Sequence, residues 1–285
     1  MGPEMERVLI LATGAFVFLC VGVALVILAT APERKEGEPP PPIVAQPAPE
    51  PAPAPEPQQQ PSGDAAARNA LNGLVGDAPD YGRFFLRLRE AFPGEYEATV
   101  KAIEAKLDAA GRVESVDYYV SDAIRLLRKG HGATVAKAGP DQIERVFDAQ
   151  LAAMRAVAQE DPRMCVGFLY GATTQDFEKM AATHRPLVAE MALARLEATA
   201  NGEAVKAKRA APTENEVKLF EKALTERGLT NDELDVFLGG DVAKATTDQS
   251  RMCAAGQSYL EALRALPRDV RMKIYSLLLE QMARS

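Results

Sequence analysis

The chain has few of the side chains from which binding and catalytic sites are usually built. Its 285 residues include no tryptophan, 6% aromatic residues, two histidines and three cysteines. A glycosidase needs only two carboxylates, which this chain has in excess, but it offers few aromatic rings to stack against a sugar. The composition therefore disfavours an enzyme that acts on carbohydrate.

Motifs for phosphate binding and nucleophilic catalysis are absent from the sequence as well. No G-x-x-x-x-G-K-[ST], G-x-G-x-x-G or G-x-S-x-G segment occurs. Asp232, Glu233 and Asp235 lack the spacing of a calcium loop and are typical of acids in the first turn of a helix. His131 and His184 have no metal-spaced partner and are predicted to be surface-loop residues. We therefore predict no catalytic, cofactor-binding or metal-ligating residue, no cofactor and no small-molecule ligand. A non-catalytic role is favoured, although an enzyme is left open.

The longest apolar segment lies near the N-terminus. Residues 8–31 contain no Asp, Glu, Lys, Arg or His, and a helix of this length would measure about 36 Å, enough to cross a bilayer core of about 30 Å. A cleaved signal peptide has a shorter apolar core. Leu19 before Cys20 does not fit a lipoprotein site, and Glu6 does not fit a myristoylation site. We predict an uncleaved transmembrane signal-anchor helix at residues 8–31, after a short tail at residues 1–7.

Residues 32–63 have a different composition from the rest of the chain. Twelve of these 32 residues are proline. Proline fixes φ and has no N–H donor, so neither a helix nor a sheet forms here, and polyproline II is the default conformation. We predict a disordered Pro-rich linker that acts as a stiff stalk reaching on the order of 100 Å. An inert linker and a docking peptide are the alternatives.

The order of anchor, Pro-rich stalk and terminal domain resembles that of TonB-type energy-transducing proteins of bacterial envelopes. The resemblance is limited to this layout. The anchor has no ionisable residue that could couple to a proton motor, and the terminal domain is predicted to be all-helical rather than mixed. No family is assigned.

Residues 64–285 are predicted to form one all-α soluble domain, an irregular multi-helix bundle of ten or eleven short helices. Apolar residues recur at helical spacing. The clearest stripes are Tyr96, Val100, Ile103 and Leu107; Val116, Tyr119, Val120, Ala123, Leu126 and Leu127; Ile143, Val146, Phe147, Leu151, Met154 and Val157; and Val270, Ile274, Leu277, Leu278 and Met282. Three capping boxes mark helix starts, at Thr213-x-x-Glu216, Thr230-x-x-Glu233 and Thr246-x-x-Gln249.

The surface of this domain is predicted to be mixed in charge. Residues 64–285 contain 30 basic and 33 acidic residues. Nucleic-acid binding requires a concentrated basic face, so no nucleic acid is expected as a partner. The basic run Lys206, Lys208 and Arg209 is predicted to be a solvated loop. The apolar cluster at residues 84–86 is predicted to pack in the core, with an exposed partner groove as the alternative.

Cys165 and Cys253 both follow Arg-Met and lie near predicted helix starts. In an oxidising compartment they are candidates for a disulfide, to which the chain-entropy model assigns roughly 4–5 kcal/mol. Two separately buried thiols are the alternative.

The positive-inside rule does not decide the membrane orientation, because the basic residue before the predicted anchor, Arg7, nearly balances the two after it, Arg34 and Lys35. The short N-terminal tail, the stalk and the cysteine pair favour a single-pass protein of the inner (plasma) membrane with its C-terminal domain in the periplasm.

The function expected from these features is a non-catalytic scaffold or tether. It would be held in the membrane by residues 8–31 and would bind another envelope protein at a distance set by the Pro-rich stalk. The alternatives are a cell-envelope hydrolase whose carboxylates converge only in the fold, and a cytoplasm-facing membrane adaptor. A deep pocket lined by converging titratable groups would favour the hydrolase, whereas a shallow surface groove would favour the scaffold.

Overall fold

The computed structural model describes residues 63–170, 174–239 and 248–284. The predicted membrane helix at residues 8–31, and all of the Pro-rich segment except Gly63, lie outside these residues. Within them the chain forms twelve α-helices and two short 3₁₀ helices, and no strand occurs in these three ranges. The all-α prediction is therefore confirmed for this part of the chain, with slightly more helices than expected.

Most of the described connections between the helices are short. In chain order they are α1 (Gly63–Asp77), α2 (Gly82–Ala91), α3 (Pro93–Ala110), α4 (Val116–His131), α5 (Pro140–Glu160), α6 (Pro162–Tyr170), α7 (Thr174–Thr183), α8 (Arg185–Val205), α9 (Glu214–Glu226), α10 (Asn231–Gly239), α11 (Gln249–Ala265) and α12 (Arg268–Arg284). The first 3₁₀ helix is Pro79–Tyr81 and the second is Gly132–Lys137.

Two of the three predicted capping boxes are confirmed. Thr213 and Glu216 exchange side-chain and backbone hydrogen bonds at the start of α9. Thr230 and Glu233 do the same at the start of α10. Each box satisfies two N–H groups that have no partner within the helix.

The third predicted box is wrong for α11. This helix begins at Gln249, and the carboxylate of Asp248 accepts a hydrogen bond from the backbone N–H of Arg251. Aspartate is among the strongest N-cap residues, so a cap two positions after Thr246 takes precedence over the box. Thr246 itself lies outside the described residues.

The predicted apolar stripes form the core of their helices. Every stripe residue of α5 is buried, as are most of those described in α3, α4 and α12. Leu107, Leu126 and Leu277 are only partly buried. Phe147 of α5 stacks on Tyr275 of α12 with ring centroids 3.8 Å apart. This contact makes α12 a closing helix of the core, as its stripe predicted.

Helix α8 lies at the centre of the described fold. It packs against α2, α4, α5 and α7 and against both 3₁₀ helices. Its buried residues include four alanines and Gly202. A Cβ atom at Gly202 would lie 1.9 Å from the carbonyl oxygen of Thr134, so α8 and the second 3₁₀ helix meet backbone to backbone. A helix that is buried on several sides has no single apolar stripe, and the sequence pattern therefore does not reveal it.

Candidate functional site

Cys165 and Cys253 meet between α6 and α11. Their Sγ atoms are 2.13 Å apart and their Cα atoms 5.6 Å apart, across a sequence separation of 88 residues. Both side chains are buried, and the two helices also pack against each other. The disulfide therefore joins two distant parts of the chain inside the core.

Neither histidine is the surface-loop residue that the sequence suggested. His131 ends α4 and is partly buried, with Nδ1 2.5 Å from Oε1 of Glu203 and Nε2 2.9 Å from Oε1 of Glu95. His184 directly precedes α8, and its Nε2 lies 2.9 Å from Oε2 of Glu160, within ion-pairing distance but off the direction of a hydrogen bond. These carboxylates come from distant elements, so residue spacing could not reveal them.

No metal site is formed by the described parts of the chain, where no group of three or more His, Cys, Asp and Glu side chains could hold an ion. Glu95 and Glu203 contact opposite nitrogens of the His131 ring, so their oxygens do not converge on one point. Glu233 is an acid in the first turn of α10, as predicted, and its carboxylate pairs with Arg251.

A cleft opens between the first 3₁₀ helix, the start of α2 and the first half of α8. It has a volume of about 350 Å³ and is lined by Pro79, Asp80, Arg83, Pro186, Ala189, Glu190 and Leu193. The two prolines occupy the first turns of their helices, where a missing N–H costs nothing. Their rings give the cleft rigid apolar walls.

Charged side chains form the rim of this cleft. Nη1 of Arg83 lies 4.0 Å from Oε2 of Glu190, and Nη2 of Arg145 on α5 lies 3.1 Å from Oε1 of the same carboxylate. The Arg83 side chain is 75% exposed, and Asp80 is exposed as well. Exposed ion pairs are worth only about 0–1 kcal/mol. These charges can therefore turn toward a bound partner at little cost.

A buried network supports the cleft walls. Asp117, at the start of α4, accepts hydrogen bonds from the Tyr81 hydroxyl at 2.7 Å and from Nη2 of Arg185 at 3.2 Å. Burial, followed by the hydrogen bond to Asp117, raises the pKa of the Tyr81 hydroxyl, and a hydrogen bond to Asp117 raises the pKa of Arg185. Tyr81 thus stays a donor and Arg185 a cation at neutral pH. Because Asp80 and Pro186 adjoin these residues, the network fixes both sides of the cleft.

Helix α2 extends the cleft with an exposed face. Arg83, Leu86 and Glu90 share this face by helical spacing, and Leu86 is 49% exposed. Its neighbours Phe84 and Phe85 are buried. The core prediction for residues 84–86 is therefore confirmed for the two phenylalanines and wrong for Leu86. The seven lining residues together with Leu86 are called the cleft face below.

The chemistry of the cleft face suits binding better than acid–base catalysis. Its carboxylates are Asp80 and Glu190, and Glu190 is already engaged by two arginines. The lining includes no Ser, Thr, Cys, His or Lys side chain that could act as a nucleophile or proton donor. At this surface the sequence analysis had named only the apolar cluster at residues 84–86, with an exposed partner groove as the alternative, and no sequence pattern indicated the cleft itself.

Comparisons of the chain with models of known protein families, with curated proteins and with solved structures found no match. In the ranges that the structure describes, no helix is both long and apolar enough to cross a membrane.

Proposed function

We propose that this protein is a membrane-anchored, non-catalytic scaffold that binds another envelope protein through the cleft face. The observation that carries the proposal is the character of this surface. It is open to solvent and has proline walls and a charged rim, and the exposed Leu86 follows the rim residue Arg83 by about one helical turn. A hydrolase requires converging titratable groups, whereas the two carboxylates here are an exposed Asp80 and an ion-paired Glu190.

The anchor and the stalk belong to the same proposal and come from the amino-acid sequence. Residues 8–31 would hold the chain in the inner membrane, and residues 32–63 would set the distance at which the domain meets its partner. The close approach of Cys165 and Cys253 supports a periplasmic location for the domain, because disulfides persist in oxidising compartments.

Site-specific photo-crosslinking of the full-length chain in native membranes tests the binding surface. A photoreactive residue replaces Leu86 in one variant and Leu219, another exposed leucine, on α9, in the control. The proposal predicts a discrete protein adduct from position 86 alone. Arg83→Glu should abolish this adduct, while Arg89→Glu, which changes an exposed arginine of the same helix, should preserve it. Equal adducts from both positions, or none from position 86, would contradict the proposal.

Membrane orientation has a separate test. A reporter fused to the C-terminus that is active only outside the cytoplasm should be active in the full-length protein. Activity of a cytoplasm-restricted reporter at the same position would replace the periplasmic scaffold with a cytoplasm-facing adaptor.

A further inference from the structure

The end of α8 is held tightly against the second 3₁₀ helix. Gly202 touches the backbone at Thr134 so closely that no Cβ fits between them. Just after α8, the N–H of Ala207 donates to the carbonyl of Lys137 at 2.9 Å. Arg209 donates to the two carbonyls that flank Lys137 in sequence. We call Gly132–Lys137 together with residues 202–209 the α8 junction.

A strained residue lies within the α8 junction. Lys206 has φ 52° and ψ 40°, and it is the only non-glycine residue with positive φ among residues 63–170, 174–239 and 248–284. Left-handed backbone costs a residue with a Cβ free energy, so it persists only where surrounding contacts impose it. Lys206 is therefore the point at which the junction would relax if those contacts weakened.

His131 contacts the last turn of α8 at Glu203, three residues before Lys206, and it has an unusual pair of partners. Glu95 comes from the first turn of α3 and Glu203 from the last turn of α8, and one carboxylate contacts each ring nitrogen. A neutral imidazole has a single N–H, so only the protonated ring can donate to both carboxylates at once. The ring is 25% exposed and packs on Phe92 with centroids 4.7 Å apart.

We propose that His131 is a pH-sensitive latch for the α8 junction. The protonated ring holds Glu203 at the end of α8 and Glu95 at the start of α3. When the ring loses its proton, one carboxylate is left without its donor and the junction loosens around Lys206. This role is independent of the partner that the cleft face binds, because the latch lies on contacts among α3, α4 and α8.

The surrounding charges set the direction of the pH dependence. The carboxylates that face the ring are Glu95 from α3 and Glu203 from α8. Other charged groups on the adjoining elements are Arg128 and Lys129 in the last turn of α4, Lys137 on the second 3₁₀ helix, and Glu280 on α12, which packs here through Ala283. Partial burial lowers the pKa of His131, but hydrogen bonds to Glu95 and Glu203 and their charges outweigh burial and raise it above its ordinary value.

A raised pKa in the folded state fixes the sign of the effect. The stabilisation is complete below the ordinary histidine pKa of about 6.5. It is lost as the pH rises through the higher pKa of the folded protein. The latch is thus closed in mildly acidic solution and opens toward alkaline pH.

The test uses the full-length chain, which contains only two histidines. Deuterium exchange at the C2 carbon of each ring, read by mass spectrometry, gives the two pKa values separately. Amide exchange in the α8 junction is then compared between the natural chain and His131→Gln at each pH, so that the intrinsic pH dependence of exchange cancels. His184→Gln is the matched control, because His184 is also partly buried beside a carboxylate.

The latch predicts a pKa of His131 above 6.5 and junction amides that exchange about tenfold faster in His131→Gln at pH 6. This difference should vanish at alkaline pH, and His184→Gln should leave the junction unchanged. If His131→Gln does not fold, Glu203→Gln should lower the pKa of His131. A His131 pKa at or below 6.5, a pH-independent difference, or no response to Glu203→Gln would overturn the proposal.

Discussion

At the scale of single residues, the domain depends on polar partners that lie far apart in the sequence. Asp117 is 6% exposed, and its partners Tyr81 and Arg185 come from the first 3₁₀ helix and from α8. Sequence spacing places acids, arginines and tyrosines on helices but does not pair them across helices. The sequence contains every residue of the candidate site, but it does not show which of these side chains meet in the fold. For this reason the candidate site could not be predicted.

The buried network predicts a large loss of stability for Asp117→Ala. Removing this buried carboxylate leaves the partly buried Arg185 and the Tyr81 hydroxyl without their partner, and the free energy of unfolding should fall by about 3 kcal/mol. Tyr81→Phe removes one hydrogen bond and should cost about 1–2 kcal/mol. Urea unfolding measures both changes. Glu114→Ala, which removes an exposed ion pair with Lys106, is the control and should leave the urea midpoint nearly unchanged. Equal losses for Asp117→Ala and this control would refute the account.

At the scale of helices, periodicity predicted the elements that bury one face and missed the element that buries several. The stripes of α5 and α12 were visible because their outer faces are polar. Helix α8 packs small residues against neighbours on many sides, so its pattern is weak although it is central. Local capping chemistry predicted the starts of α9 and α10, but at α11 the nearer Asp248 supplies the cap.

The close contact of α8 predicts opposite effects for two glycine-to-alanine substitutions. Gly202→Ala forces a Cβ against the carbonyl of Thr134 and should destabilise the fold by about 1–3 kcal/mol or more. Gly73→Ala, in α1, meets no atom within 4 Å and should stabilise by about 0.5–1 kcal/mol, because alanine is the better helix former. Thermal unfolding of the two variants distinguishes these outcomes, and a harmless Gly202→Ala would show that α8 does not approach the second 3₁₀ helix as described.

The capping box of α9 predicts a pH dependence at the acidic end. A hydrogen bond from Lys273, followed by one from the backbone of Thr213, lowers the pKa of Glu216 to about 2. Because the pKa is lower in the folded state, the stabilisation is present above the ordinary value near 4.5 and is lost as the pH falls toward 2. Glu216→Gln should therefore flatten the decline of the melting temperature between pH 4.5 and 2. Glu226→Gln, which changes an exposed acid of the same helix, should leave this decline unaltered. Equal slopes for the natural protein and both variants would contradict the lowered pKa of Glu216.

At the scale of the whole molecule, composition divides the chain into an apolar segment at residues 8–31, a proline-rich segment at residues 32–63 and the helical domain. The disulfide ties two distant parts of that domain together. The sequence indicated Cys165 and Cys253 as a candidate pair but not that they meet. They meet because α6 packs against α11. The cleft face could not be predicted, because it lies between three elements. The sequence pattern indicates where single elements begin and end, but it does not show how they pack together.

Loss of the disulfide is predicted to lower stability by an amount set by the length of the loop it closes. For a separation of 88 residues, the chain-entropy model gives roughly 4–5 kcal/mol. The double variant Cys165→Ala with Cys253→Ala should unfold at a much lower urea concentration than the oxidised protein. The reduced natural chain should match the double variant. No change in either case would mean that the two cysteines are not bonded in the native protein.

The central proposal is that the domain binds an envelope protein at a distance set by residues 32–63. The most direct measurement is the photo-crosslinking yield from position 86 in two full-length chains, one with residues 32–63 intact and one with this segment shortened by half. The account predicts that the adduct is lost in the shortened chain while the urea midpoint of the domain is unchanged. An adduct of undiminished yield from the shortened chain would contradict it.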